Sequence, residues 1–127
     1  MEKYKFVGEY EFRASAKVLF PYISTASGLQ EWFAAKVLVK GDHLFDFVWD
    51  NDNHPARMTT HRLNKLVRFD FLNNEQKGNY VEFKVEVSDL TNATFFKVTD
   101  CSDNADAEDL KEMWEGMTDK LKEIVGG

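Results

Sequence analysis

At 127 residues the chain has room for one domain with one core of ordinary size, and not for two. Hydrophobic residues make up 43% and charged residues 30%, the balance of a folded globular protein and too apolar for a disordered one. A net charge of −6 with no basic run argues against nucleic acid and against anionic membranes as partners.

Residues 4–12 alternate, with Tyr4, Phe6, Gly8, Tyr10 and Phe12 on one face and Lys5, Val7, Glu9 and Glu11 on the other, which predicts a half-buried strand. Ser15 then caps a first short helix carrying Val18, Leu19, Phe20 and Tyr22, kept short or kinked by Pro21. A second short helix follows, with Ser27-Gly28-Leu29-Gln30 read as its capping box ahead of Trp32 and Phe33.

From about residue 35 to about 101 the period is 2. Val37 and Val39 lead to a Gly41-Asp42 hairpin turn; Phe45, Phe47 and Trp49 lead to a polar turn at 50–53. The next strand, 56–63, carries Met58, Thr60 and Arg62 on one face and Arg57, Thr59, His61 and Leu63 on the other. Val67, Phe69 and Phe71 mark a further strand, a loop at 73–79 turns the chain, and Val81, Phe83, Val85 and Val87 give the clearest alternation. Phe95, Phe96 and Val98 fall in a last strand at 94–101.

Residues 106–125 form a long helix, its stripe Ala107, Leu110, Trp114, Met117, Leu121 and Ile124, with Met113 at the flank. Asp106, Glu108 and Asp109 suit its amino end, Lys120 and Lys122 its carboxyl end, and Gly126 its stop. The predicted class is α+β. Strands joined by such short connections are antiparallel, and the long helix is the only element able to cover their apolar face.

That element order, Val18-Leu19-Phe20, the Leu29–Phe33 segment with Trp32, and Trp114-x-x-Met117-x-x-x-Leu121 together resemble the START-like superfamily, also called SRPBCC or helix-grip. Within it the chain is similar to the heat-shock-protein ATPase activator homologues. The resemblance spans 1–127 as a single domain. It implies a curved sheet of about six or seven strands wrapped around the last helix, with a pocket open at one end. Members bind lipids, hormones or aromatic polyketides, a few close rings, and others act on chaperones; the fold does not choose among these.

Reactive chemistry finds little support. Asp50-x-Asp52 starts like a calcium loop, but Pro55 stands where that motif needs Gly and His61 where it needs Glu. His43, His54 and His61 have no metal-ligand spacing, so no metal site is expected. Cys101, the only cysteine, allows no intramolecular disulfide, and Asp100 and Asp103 beside it disfavour a thiolate. With no phosphate loop, nucleophile elbow or dinucleotide fingerprint, no cofactor and no catalytic residue is assigned. No apolar signal segment and no membrane-length apolar run is present, so a cytoplasmic protein without stable membrane insertion is expected; Asn92-Ala93-Thr94 is then a chance sequon.

The positive signal is aromatic and sulfur-rich. The chain holds eleven Phe, four Tyr and three Trp. Phe45, Phe47, Trp49, Phe69, Phe71 and Phe83 project from the sheet toward Met113, Trp114 and Met117 of the helix, as core or as ligand lining. Tyr10, Asp46, Thr60 and Arg62 are the polar groups that strand phase offers for orienting a ligand, and a one-residue bulge would turn them outward. The expected function is binding of an apolar or amphipathic, lipid-like small molecule. A chaperone-regulating interaction module is the alternative. A cyclase-type enzyme, which would need His61, Asp46 and Arg62 gathered in the cavity, ranks last. Oligomeric state is left open.

Overall fold

In the computed structural model, which describes residues 3–73, 77–103 and 106–127, the alternating stretches become the strands of one sheet. The order along the chain is β1 (Tyr4–Phe12), α1 (Ala16–Leu19), α2 (Pro21–Ser24), α3 (Ala26–Trp32), β2 (Lys36–Gly41), β3 (Leu44–Trp49), β4 (Asp52–Arg62), β5 (Leu66–Phe71), β6 (Tyr80–Val87), β7 (Thr94–Ser102) and α4 (Ala107–Val125). The seven strands lie in the order β1-β7-β6-β5-β4-β3-β2, each antiparallel to its neighbours. The arrangement is the expected α+β one: a curved sheet holding a long carboxyl-terminal helix, with short helices after the first strand.

Topology follows from connection length. Hairpins place β2 to β7 side by side, and only the three-helix excursion after β1 is long enough to carry the chain to the far edge of the sheet. The inner rows are apolar: Phe47, Val67, Phe69, Phe83, Phe96 and Val98 are fully buried. α4 lays Leu110, Trp114, Thr118 and Leu121 against them. Thr118 fits this stripe because its hydroxyl donates to the Trp114 carbonyl at 2.8 Å, so its own polar group is paired. Asp106 caps α4 by accepting from the Asp109 N–H, and Gly126 at φ 90° ends it in the left-handed conformation.

Several local expectations shift. Pro21 sits at the first position of α2, splitting the first helix into two single turns. The cap of α3 is Thr25, whose hydroxyl oxygen accepts from the Gly28 N–H at 3.0 Å. Gln30, instead of closing a box on Ser27, accepts from the Val37 N–H at 2.9 Å and ties α3 to β2. Gly28 is needed for a different reason: a Cβ there would lie 2.2 Å from the Pro21 carbonyl oxygen, so only glycine lets α3 approach α2 this closely.

The β2–β3 turn is Asp42-His43, one residue later than Gly41-Asp42, with His43 at φ 58°. Asp50 and Asn51 both take positive φ, the two-residue turn that suits the twist of a hairpin. β4 therefore starts at Asp52, four residues earlier than 56. Part of the 73–79 loop, residues 74–76, lies outside the described residues.

β4 also carries a bulge. Met58 pairs with Phe69 but Thr60 pairs with Arg68, leaving Thr59 as the extra residue. Beyond it the phase reverses. His61 now opposes the buried Val67 and meets Phe20 edge-on at 5.5 Å, while Thr60 and Arg62 turn to the outer face with Arg68.

Candidate functional site

The space between sheet and α4 is filled at one end and open at the other. At the filled end Trp32, Phe33, Phe83, Phe96 and Trp114 touch one another with ring centroids 5.4–6.4 Å apart. Phe33 stacks on Trp114 and meets Phe47, Trp49 and Phe83 edge-on. Two indole N–H groups hold the helical segment in place: Trp32 donates to the Tyr22 carbonyl at 2.7 Å and Trp49 to the Phe33 carbonyl at 2.8 Å.

Beyond Trp114 lies a pocket of about 380 Å³. Phe33 and Trp114 form its border with the packed core, Met113 and Met117 its α4 side, and Phe71 and Val81 its sheet side. Trp49, Asp50 and His54 come from the end of β3, the following turn and the start of β4. The His54 ring stands edge-on to Trp49 at 5.2 Å. Because Asp52 pairs with Trp49 and His54 with Phe47, the tight turn brings His54 onto the inner face.

Asp100 is the half-buried carboxylate of this lining, Asp50 being exposed. Its neighbours across the sheet are Phe6 on β1 and Val81 on β6, and the same row continues through Phe69 to Met58. One carboxylate thus stands in a row that is otherwise apolar. The Trp114 indole donates to its Oδ2 at 3.0 Å. Burial raises the Asp100 pKa above the usual carboxylate range, opposed by the indole N–H and by the nearby Ser102 hydroxyl.

The sequence-derived candidates separate into three groups. Trp49, Phe71, Met113, Trp114 and Met117 line the pocket together. Phe45, Phe47, Phe69 and Phe83 point inward but belong to the packed core and do not line it. The polar candidates do not reach it. The bulge at Thr59 turns Thr60 and Arg62 outward. Tyr10 packs against α4 elsewhere, and burial, with Glu115 and Asp119 nearby, raises its pKa.

Asp46 alternates with Phe45 and Phe47 and so lies on the opposite face of β3, between Leu38 and Pro55, 5% exposed and with Oδ1 unpartnered. His61, Asp46 and Arg62 therefore line no common pocket. Among the described residues no group of three or more His, Cys, Asp or Glu is placed to hold a metal, and no helix is long and apolar enough to cross a membrane.

Phe33, Asp50, His54, Val81 and Asp100 complete the lining and were not singled out as ligand contacts from sequence. Asp100 was within reach of the same reasoning, since Phe96, Val98 and Asp100 share one phase of β7.

A family model described as a START-like superfamily domain matches residues 1–127. No curated protein matches the chain. Among solved structures, a Bacteroides fragilis protein is 35% identical over 98% of this chain and 92% of its own, with a TM-score of 0.66. The Aha1 dimer from Colwellia psychrerythraea is 18% identical over 96% of both chains, with a TM-score of 0.79. A Bacillus halodurans protein is 19% identical over 98% and 99%, with a TM-score of 0.77. The last two likenesses carry the fold.

Proposed function

This chain belongs to the START-like superfamily, and on that premise we propose that it binds a compact apolar or amphipathic small molecule in the pocket beside Trp114. The observation that supports the reading best is the composition of the lining. Seven of its ten residues are aromatic, aliphatic or sulfur-bearing, and they surround one partly buried carboxylate. Apolar surface removed from water contributes about 25 cal/mol per Å², while a few polar groups orient the ligand. The volume lies at the low end of the roughly 300–1,000 Å³ usual for ligand sites, which favours a one- or two-ring body or a short chain over a two-chain lipid.

Met113 is 41% exposed and Met117 half-buried, so the helical wall is built from side chains that change shape at little cost. Trp49 and Trp114 report on the pocket directly. Titration with naphthalene, followed by tryptophan fluorescence, is expected to saturate at one molecule per chain. No saturable change up to the solubility of naphthalene would count against the pocket. Function would then be sought on the outer surface, where a chaperone or other protein partner would dock.

A further inference from the structure

We infer that the natural ligand is an organic amine, an apolar or aromatic body bearing one ammonium group that seats on the Asp100 carboxylate. The inference rests on the pocket being a ligand site and adds the chemistry that the ligand must carry.

The first argument is position. Asp100 stands between Phe6 and Val81 in the row Phe6–Asp100–Val81–Phe69–Met58, where an apolar side chain would continue its neighbours. Withdrawing a carboxylate from water is unfavourable unless it is paired, and neither the indole N–H nor the nearby Ser102 hydroxyl brings a counter-charge. A residue that breaks the local pattern at a cavity wall marks a place where stability has been given up for binding.

The second is capacity. A carboxylate accepts at about four lone-pair sites; the indole takes one of them, on Oδ2, and the Ser102 hydroxyl stands beside it as a further donor. The Trp114 N–H therefore fixes the carboxylate in orientation, and accepting sites remain for a ligand. An ammonium group brings three donors and a full positive charge, so its hydrogen bond to the carboxylate is charge-assisted.

The third is the sign of the lining. Asp50 and Asp100 line the pocket, and among the described residues that line it there is neither Lys nor Arg. The remaining titratable wall group is His54. A fatty acid or other carboxylate would bring its charge toward two acids with no fixed counter-charge, and a neutral alcohol would gain one ordinary hydrogen bond. A cation gains both the charge pairing and the aromatic walls of Trp49, Phe71 and Trp114, whose ring faces attract cations. Specificity here comes as much from rejecting anions as from holding amines.

The test is a matched panel on one hydrocarbon body: 2-phenylethylamine, 2-phenylethanol and 3-phenylpropionate. Each is titrated into the wild-type protein and into Asp100→Asn, which keeps an acceptor for the Trp114 N–H. The amine is expected to bind at least about tenfold more tightly than the alcohol, a difference of about 1.4 kcal/mol, with the carboxylate weakest. In D100N the amine's advantage should fall to about twofold or less. Equal binding of amine and alcohol by the wild type, or an advantage unchanged in D100N, overturns the amine assignment and leaves the pocket standing as a ligand site. If no member of the panel binds, the pocket reading itself falls, and the amine assignment with it.

Discussion

The two ends of the interior use the same kinds of residue to opposite effect. At one end Trp32, Phe33, Phe83 and Phe96 interlock with Trp114 until no ring is left unpacked. At the other, Trp49, Phe71, Met113 and Met117 surround about 380 Å³ of open space. Composition does not distinguish the two. What does is the presence of a covering element: α3 delivers Trp32 and Phe33 onto one end of the sheet, and no described segment does the same for the other. Trp114, stacked on Phe33 and hydrogen-bonded to Asp100, is the partition between them.

If that division is right, the largest effect of truncation belongs to the packed end. Phe83→Ala is expected to cost roughly 3–5 kcal/mol in chemical denaturation, because the cavity it leaves has rigid walls. Met113→Ala, at the open end, should stay within about 0.5 kcal/mol. Similar losses at both sites would mean that the pocket is as tightly packed as the core.

The packed end can also be disturbed through the segment that closes it. Gly28→Ala forces a Cβ against the backbone of Pro21 and Tyr22, with no flexible side chain to yield, and roughly 1–3 kcal/mol is expected. A melt unchanged from wild type would show that α2 and α3 separate more easily than their contact suggests. Thr25→Ala removes the α3 cap and should cost about 1 kcal/mol while leaving ligand affinity in the pocket unaltered. A parallel loss of affinity would show that the two ends are coupled through Phe33.

The smallest expected effect has the opposite sign. Burial raises the Asp100 pKa in the fold, so the folded protein holds this proton more tightly than the unfolded chain does. The penalty for the charged form is fully present above the raised pKa and disappears as pH falls below the ordinary carboxylate range. Asp100→Asn should therefore raise the melting temperature at neutral pH, and the gain should shrink on acidification toward pH 4. A gain that is constant with pH would mean that the charge of Asp100 is not what the variant relieves.

How far the sequence reaches differs between the two ends as well. The alternation of β1 and β6, the α4 stripe between Asp106 and Gly126, and the break at Pro21 are local signals, and each appears in the fold. Which aromatic residues face inward is legible for the same reason, but not which of them border open space: Phe45, Phe47, Phe69 and Phe83 are packed core, while Trp49 and Phe71 line the pocket. The polar part was not legible, because a single bulge at Thr59 decides which way Thr60 and Arg62 face, and nothing in the residues around it marks the extra position. His54 was hidden by a turn that is two residues long instead of four. Asp100 was readable from its phase with Phe96 and Val98, but an acidic residue beside Cys101 near a strand end looks like the start of a solvated loop.

The most direct test of an open pocket beside a packed core uses the methionine methyl groups. Met113 and Met117 line the pocket, while Met58 is buried in the sheet away from it. With the methyls labelled and assigned by NMR, added naphthalene should shift Met113 and Met117 along one saturable curve and leave Met58 where it was. If none of the three moves, or if all three move together, the interior is not divided as described.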